Sequence, residues 1–135
     1  MKIQESAENY LETILMLSQR GTDVRSIDIA NELDFSKPSV SIAMKKLREN
    51  GYIAVDGEGN LTLLEPGREI AERIYSRHRL LTHFFVQLGV DEEVAAEDAC
   101  KAEHILSEQT LEKIRERAIE TDAEPVSYTH LRAHE

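Results

Sequence analysis

Two helical patterns joined by a tight break constrain the fold of this chain more than any other sequence feature. Residues 26–33 carry apolar side chains at helical spacing, the pattern breaks at Asp34, and residues 36–51 form a second helical pattern. Ser36 is a favourable N-cap for the second helix and Gly51 a favourable stop. Two helices separated by so short a break predict a helix-turn-helix.

The residues after Gly51 change to a β pattern. Residues 52–55 and 61–64 are rich in β-favouring side chains, and residues 56–60 between them are rich in turn formers. This pattern predicts a β-hairpin of the kind that forms the wing of a winged helix-turn-helix. The fold class is therefore expected to be mainly α with a small β-hairpin.

The second helix of the pair is predicted to read DNA. Val40, Met44 and Leu47 share one arc of the helix, which leaves the opposite arc exposed. Lysines there suit phosphates, hydroxyls suit phosphates or base edges, and an exposed Ile42 suits a thymine methyl group. A solvated helix face with one stray isoleucine is the simpler interpretation, but the hairpin that follows favours DNA binding. The predicted DNA-binding residues are Ser36, Lys37, Pro38, Ser39, Ser41, Ile42, Lys45 and Lys46.

The net charge of −10 argues against a nucleic-acid partner until its distribution is considered. Residues 1–90 carry 11 basic and 13 acidic side chains, whereas residues 91–124 carry 4 basic and 12 acidic ones. The acidic excess is therefore concentrated in the C-terminal third. This arrangement suits a protein that binds cations at one end and another partner at the other.

The C-terminal part of the chain is predicted to be helical. A helix that begins after Pro66-Gly67 and runs to about Leu88 carries a stripe of apolar residues, and His78 falls on that stripe. Further helices are expected over residues 94–106, capped by Asp91, and over residues 107–119. The stripe consists of Ile70, Ile74, Leu81, Phe85 and Leu88, and Ile74, Leu81 and Phe85 are expected to form much of a homodimer contact.

The predicted 94–106 helix carries a possible metal-ligand set. Cys100, Glu103 and His104 stand at positions i, i+3 and i+4, so one helical face would present a thiolate, a carboxylate and an imidazole. This donor set suits a transition-metal ion. A packed cysteine beside two surface residues is the simpler interpretation, but His78 on a neighbouring apolar stripe favours a metal site.

The first helix is predicted to begin at Ser6 and to stop at Gly21, and it carries the polar pair Asn9 and Glu12. The ligand candidates lie in three stretches of the chain, AENYLETI, RHRLLTHFF and EDACKAEHILSE. With these stretches, residues 5–120 resemble the diphtheria toxin repressor family of iron- and manganese-dependent regulators. The resemblance implies a homodimer that binds a divalent ion, Mn(II) or Fe(II), and then binds palindromic operators to repress metal-uptake genes. It implies the metal-ligand positions Asn9, Glu12, His78, Cys100, Glu103 and His104.

At two of these positions the chain matches neither branch of that family completely and is a hybrid of the two. The manganese branch has an aspartate where this chain has Asn9 and a glutamate where it has Cys100, and the iron branch has methionine and cysteine at these positions. Cys100 therefore favours iron, whereas Glu12 favours the shorter manganese-type form. Asn9 can coordinate through its carbonyl oxygen but adds no charge.

The resulting domain prediction has three parts. Residues 1–66 form a winged helix-turn-helix, residues 67–124 form a helical metal-binding and dimerisation domain, and residues 125–135 form a tail whose composition is typical of vector read-through. An ion ligated from both domains would fix the angle between the two reading heads of a dimer.

The remaining expectations concern location and alternative functions. No apolar run is long enough for a bilayer, and the N-terminus has no secretory pattern, so a cytoplasmic regulator is expected. One alternative is a winged-helix regulator that senses oxidants or another ligand through Cys100, the only cysteine. A small metal- or thiol-dependent enzyme is the other alternative, but no orienting partner or paired Glu-x-x-His motif supports it, so no enzymatic activity is expected.

Overall fold

A computed structural model of the chain describes residues 5–121. Six helices and one hairpin follow one another in this range, and no helix of the described residues is long and apolar enough to span a membrane. The predicted tail at residues 125–135 lies outside the described residues. The elements are α1 (Glu5–Ser18), α2 (Ser26–Leu33), α3 (Lys37–Glu49), β1 (Ile53–Val55), β2 (Leu61–Leu63), α4 (Glu65–Gln87), α5 (Glu92–Ala102) and α6 (Glu108–Thr121).

The chain divides into two compact units, and the division falls inside α4, between Ile74 and Tyr75. The boundary predicted from the sequence lies after residue 66, at the start of α4. The difference arises because the first turns of α4 pack with the winged helix-turn-helix. A Cβ atom added to Gly67 would collide with the backbone carbonyl oxygen of Tyr52, which shows how close that approach is.

The first unit is the predicted winged helix-turn-helix, with α2 and α3 joined by a short turn. Asp34 ends α2 in the left-handed conformation, with a φ of 58°, and donates its backbone N–H to the carbonyl of Ala30. This conformation is unusual for a side-chain-bearing residue, but aspartate tolerates it better than most. The chain then enters α3 at Ser36.

The hairpin that follows α3 is the predicted wing. Its antiparallel strands pair Ile53 with Leu63 and Val55 with Leu61, and the Ile53, Leu61 and Leu63 side chains are buried. The core of this unit joins the wing to the apolar faces of the three preceding helices. Its buried side chains include Leu11, Ile14, Leu15, Val24, Ile29, Ala30, Val40, Met44, Leu47, Ile53, Leu61 and Leu63.

The second unit packs the C-terminal part of α4 with α5 and α6. Its core is formed by side chains that are spaced for one helical face on each helix. The buried members are Leu80, Leu81, Ala99, Leu111 and Ala118, and Phe84, Phe85, Ala102, Leu106 and Ile114 pack against them. The predicted inward face of α6 is confirmed by Leu111 and Ala118.

The structure differs from four of the sequence-based predictions. The first helix already includes Glu5, so Ser6 lies within it and does not cap it. Leu88, predicted to lie on the apolar stripe, follows the end of α4 and is 66% exposed. Ile74 and Leu81 are fully buried within the chain, so they cannot provide a surface for a second copy. Finally, α5 ends at Ala102 rather than continuing to Leu106.

Candidate metal centre and nucleic-acid interface

The exposed face of α3 contains the residues that the sequence predicts to bind DNA. Val40, Met44 and Leu47 point into the core, and Ile42 is 59% exposed on the other side of the helix. An isoleucine this exposed is available for apolar contact with a partner surface. The eight predicted residues, Ser36, Lys37, Pro38, Ser39, Ser41, Ile42, Lys45 and Lys46, are all exposed.

Local hydrogen bonds fix the start of α3. The Ser36 hydroxyl oxygen accepts a hydrogen bond from the Ser39 backbone N–H at 3.3 Å and donates one to the Ser39 hydroxyl at 2.8 Å. Pro38 lies in the first turn, where its missing N–H is tolerated. The Ser36 hydroxyl therefore acts as the N-cap of the helix as well as an exposed polar group.

A cleft between α3 and the wing adds a residue that the sequence analysis missed. The cleft has a volume of about 230 Å³, and Arg48 lines it together with Lys45. Arg48 stands three residues after Lys45, so this helical spacing is the sequence signal that could have identified it. Two cations beside a wing are suited to the phosphates of a nucleic-acid backbone. The complete lining is Ser26, Ser41, Met44, Lys45, Arg48, Val55, Gly59 and Leu61.

The tip of the wing is closed by one carboxylate. Asp56 Oδ1 accepts hydrogen bonds from the backbone N–H groups of Glu58 at 2.8 Å and Asn60 at 2.9 Å, and Asp56 Oδ2 accepts one from the Asn60 side chain at 3.1 Å. Hydrogen bonds from these backbone N–H groups, that of Asn60 first, lower the pKa of Asp56 below its ordinary value of 3.8. The negative charge of Asp56 is thus partly compensated by amide N–H groups of the same loop.

The second unit contains a buried carboxylate between two imidazoles. Glu103 is fully buried, its Oε1 atom lies 3.0 Å from His78 Nδ1, and its Oε2 atom lies 3.4 Å from His104 Nε2. The His104 side chain is almost completely buried as well. A carboxylate out of water requires compensation by positive charge and hydrogen bonds.

The third predicted ligand of this segment, Cys100, is placed differently. It lies on α5 and is exposed, whereas Glu103 caps the helix and His104 lies in the turn that follows. The prediction of one continuous helix carrying all three side chains was therefore wrong in its end point. The backbone of Glu103 still has a helical conformation, with φ −61° and ψ −21°, so the spacing from Cys100 to Glu103 is nearly helical.

The two ligand candidates of the first unit lie on α1. Glu12 is buried although it is a charged residue, and Asn9 is half-buried. The backbone carbonyl of Asn9 accepts a hydrogen bond from the Thr13 hydroxyl at 2.8 Å. A buried glutamate is uncommon on a helix whose other buried residues are mostly apolar.

The donor chemistry of the second-unit cluster fits a divalent transition-metal ion. Imidazole and carboxylate are ligands for manganese, iron and zinc, and a metal-bound histidine usually has a carboxylate or carbonyl partner that fixes its orientation. The buried Glu103 with an imidazole at each oxygen provides both kinds of group. The residues are therefore chemically able to hold such an ion.

Two family models together match most of the chain. Residues 2–61 match the N-terminal DNA-binding domain of iron-dependent repressors, and residues 64–125 match the metal-binding and dimerisation domain of the same proteins. The boundary between the two matches lies close to the start of α4.

Individual relatives agree with these matches. An HTH-type transcriptional regulator of Methanocaldococcus jannaschii is 35% identical over 115 residues, which cover 84% of this chain and 92% of the relative. The transcriptional regulator MntR of Escherichia coli is 32% identical over 112 residues, which cover 83% of this chain and 72% of MntR.

A solved structure agrees at the level of the fold and of the sequence. The structure of a manganese-dependent transcriptional repressor in complex with manganese superposes with a TM-score of 0.77 and 28% identity. The match covers 83% of this chain and 52% of the solved one, so the chain spans about half the length of that repressor. From these matches, this chain belongs to the diphtheria toxin repressor family of iron- and manganese-dependent transcriptional regulators.

Proposed function

We propose that this chain is a repressor of metal-homeostasis genes that binds operator DNA when it holds Mn(II) or Fe(II). It acts in the cytoplasm as a homodimer on a palindromic operator and has no enzymatic activity. The observation that carries this proposal is the fully buried Glu103 with His78 at one oxygen and His104 at the other. A divalent cation would neutralise this carboxylate, and the two imidazoles supply directional ligands.

The proposed ligand set has a part supported by geometry and a part supported by resemblance. His78, Glu103 and His104 are brought together within the second unit. Asn9, Glu12 and Cys100 are added because the chain resembles the family at those positions. The carboxylate and amide oxygens suit manganese, and the Cys100 thiolate suits iron, so both ions are proposed.

The two oxygens of Glu103 also allow two ions to be bound. Oε1 faces His78 and Oε2 faces His104, so each oxygen could ligate a different ion together with its own imidazole. Titration of the purified protein with Mn(II), with bound metal counted per subunit, distinguishes one ion from two.

The homodimer is proposed to form through exposed apolar side chains of the second unit. The family description of residues 64–125 includes dimerisation, and four large apolar side chains among the described residues of this unit are exposed. Their burial in a dimer would be favourable. They are Val86, Leu88, Val94 and Ile105, the last 74% exposed.

The DNA-binding half of the proposal rests on α3 and the neighbouring cleft. Lys45, Lys46 and Arg48 supply positive charge, and Ile42 supplies an apolar group for base edges. An ion with ligands from α1 and from the second unit would couple metal binding to the placement of this helix in the dimer. The two recognition helices must lie about 34 Å apart to reach both half-sites.

The test is DNA retardation with chelated protein and separately restored metals. We expect little specific binding with chelator, and restored binding with Mn(II) or Fe(II), with Co(II) and Zn(II) as comparisons. His104→Ala should keep the secondary structure but lose the metal response, because one imidazole is removed from the buried cluster. By linkage, operator DNA should tighten metal binding in the unchanged protein but not in His104→Ala.

The matched control is Glu49→Ala, which removes an exposed carboxylate at the end of α3. This variant should retain metal binding. A full metal response in His104→Ala would mean that the sensing site lies elsewhere and that Glu103 is not a ligand.

A redox-sensing regulator is the second candidate, because Cys100 is exposed and therefore accessible to oxidants. DNA binding that depends on oxidant and is unaffected by chelator would favour it. Cys100→Ser should abolish the response in that case, whereas the metal proposal predicts a change in metal affinity.

A further inference from the structure

A single arginine holds the turn that contains two of the proposed ligands. α5 ends at Ala102, so carbonyl groups at its C-terminus lie beyond the helix's own hydrogen-bond ladder. One of these carbonyls belongs to Glu103, and it accepts a hydrogen bond from Arg77 Nη1 at 3.1 Å. The donor is on α4 and stands immediately before His78 in the sequence.

The other arm of the same guanidinium binds the next helix. Arg77 Nη2 forms an ion pair with Glu108, which begins α6. The side chain of Arg77 is 14% exposed, whereas that of Glu108 is 79% exposed, so the arginine is held inside and the glutamate reaches it from the surface. Arg77 therefore joins α4, the turn after α5, and the first turn of α6.

This arrangement uses the shape of the guanidinium group. A planar fork presents several N–H donors at fixed angles, so that one arm can meet a carbonyl and the other a carboxylate at the same time. A lysine ammonium is a point charge on a flexible stem and does not impose the same geometry. The positive charge also lies near the C-terminal end of α5, where the helix dipole favours a cation.

Glu103 is thus tied to α4 at two atoms. Its backbone carbonyl is bound by Arg77, and its carboxylate Oε1 lies 3.0 Å from His78 Nδ1. We propose that Arg77 is a positioning residue of the metal centre, which holds Glu103 and the adjacent His104 in register with His78. This inference rests on the proposed metal-binding function and extends it to a residue that would not contact the ion.

The test uses Co(II) as the probe, since its visible absorption bands report the geometry of its ligands. Loss of a group that orients metal ligands typically weakens metal affinity by about 10- to 100-fold. We expect Arg77→Gln to weaken Co(II) and Mn(II) binding within that range and to change the Co(II) spectrum. Arg77→Lys should bind more tightly than Arg77→Gln but with a spectrum that still differs from that of the unchanged protein.

Glu108→Gln provides a second variant that leaves the buried part of the contact intact. Because Glu108 is largely exposed, this change should not affect folding, but it removes the negative charge from one of the two anchors of Arg77. We expect a smaller loss of affinity and a spectral change in the same direction. The double variant should be no weaker than Arg77→Gln alone, since both changes act on one contact.

Arg115→Gln is the matched control, because it removes an ion pair with Glu112 at 3.0 Å within α6 of the same unit. It should leave the affinity and the spectrum unchanged. If Arg77→Gln is unfolded, the spectrum and affinity of Glu108→Gln decide the question. Wild-type affinity and spectrum in a folded Arg77→Gln or, failing that, in Glu108→Gln would overturn the positioning role.

The outcomes also separate this inference from the proposed function. If the unchanged protein binds no Co(II) or Mn(II), the metal-binding proposal itself fails. If the unchanged protein binds metal and His104→Ala does not, while the Arg77 and Glu108 variants bind normally, only the positioning role fails.

Discussion

Helix α3, which carries most of the proposed DNA-binding residues, and helix α5, which carries the proposed ligand Cys100, are bounded in different ways. Ser36 caps the start of α3 through the Ser39 N–H, and Gly51, with a φ of 82°, follows the end of that helix. At the start of α5, Asp91 makes no side-chain cap hydrogen bond. The carbonyl of Glu103 at its other end accepts a hydrogen bond from Arg77, 26 residues earlier in the chain.

This difference has a consequence for each region. A helix bounded by its immediate neighbours keeps its ends when distant parts of the protein change. A turn held by a side chain of another helix moves when that contact moves, as expected of a region that responds to a ligand. Helix α3 is therefore the more self-contained of the two, and the turn carrying Glu103 and His104 is the more dependent on tertiary packing.

The largest effect on stability is expected where the first unit itself depends on a distant contact. A Cβ atom at position 67 would collide with the Tyr52 carbonyl oxygen and approach Leu11 Cδ2 at 3.4 Å. Gly67→Ala should therefore lower the free energy of unfolding by about 2–3 kcal/mol, the cost of forcing atoms into a packed interface. Urea unfolding followed by circular dichroism measures this change.

Gly57→Ala is the control for that measurement. Gly57 lies at the wing tip, and a Cβ there would meet no atom within 4 Å. Equal stability of Gly67→Ala and the unchanged protein would show that the close approach of Gly67 to Tyr52 does not stabilise the first unit. The whole unit would then resemble α3 in depending on contacts close in sequence.

A smaller effect is expected at the cap of α3. Ser36→Ala removes the hydroxyl that accepts from the Ser39 N–H, which should lower the free energy of unfolding by about 1 kcal/mol. Thermal unfolding without DNA isolates this effect from any contact with nucleic acid. Ser41→Ala, an exposed position inside the same helix, should be nearly neutral for stability. If the two variants unfold alike, Ser36 does not determine where α3 begins.

The same contrast explains which parts of the structure could be predicted from the sequence. The limits of α3 follow from Ser36, Pro38 and Gly51, which lie beside the helix ends they determine. The prediction failed at the end of α5, because residues after Ala102 are compatible with a helix and no glycine or proline marks the turn. In the structure the backbone N–H groups of Ile105 and Leu106 both donate to the Ala102 carbonyl, at 3.1 and 3.2 Å, and Arg77 of α4 binds the Glu103 carbonyl.

The candidate site likewise contains residues that the sequence could predict and residues that it could not. Glu103, His78 and His104 were identified by their ligand chemistry, and the structure brings them together within the second unit. Arg77 could not be identified, because its role depends on positions 77, 103 and 108 meeting in the fold. The spacing of Arg48 from Lys45 could have identified it as a second cation on the same face of α3. Its place beside the wing could not be predicted, because it depends on where the hairpin packs.

The smallest effect is expected at the loop of the wing, which like the start of α3 is stabilised by hydrogen bonds between groups close in sequence. Its loop depends on the Asp56 carboxylate, which accepts from the backbone N–H groups of Asn60 and Glu58 and has a pKa below 3.8 in the folded protein. Because the folded-state pKa is lowered, the ionised group stabilises the loop above pH 3.8. That contribution is lost as the pH falls through the folded-state value.

A carbon-detected NMR titration of the Asp56 carboxyl group should therefore give a midpoint below 3.8. Amide exchange at Glu58 and Asn60 should increase as the pH falls through that midpoint, relative to the intrinsic exchange rate at each pH. Asp56→Asn should remove this pH dependence but change the thermal stability at neutral pH only slightly, because the side chain is exposed to solvent. A midpoint at or above 3.8 would show that the amides do not hold the carboxylate in solution. The wing loop would then lack the local hydrogen bonds that distinguish it from the turn after α5.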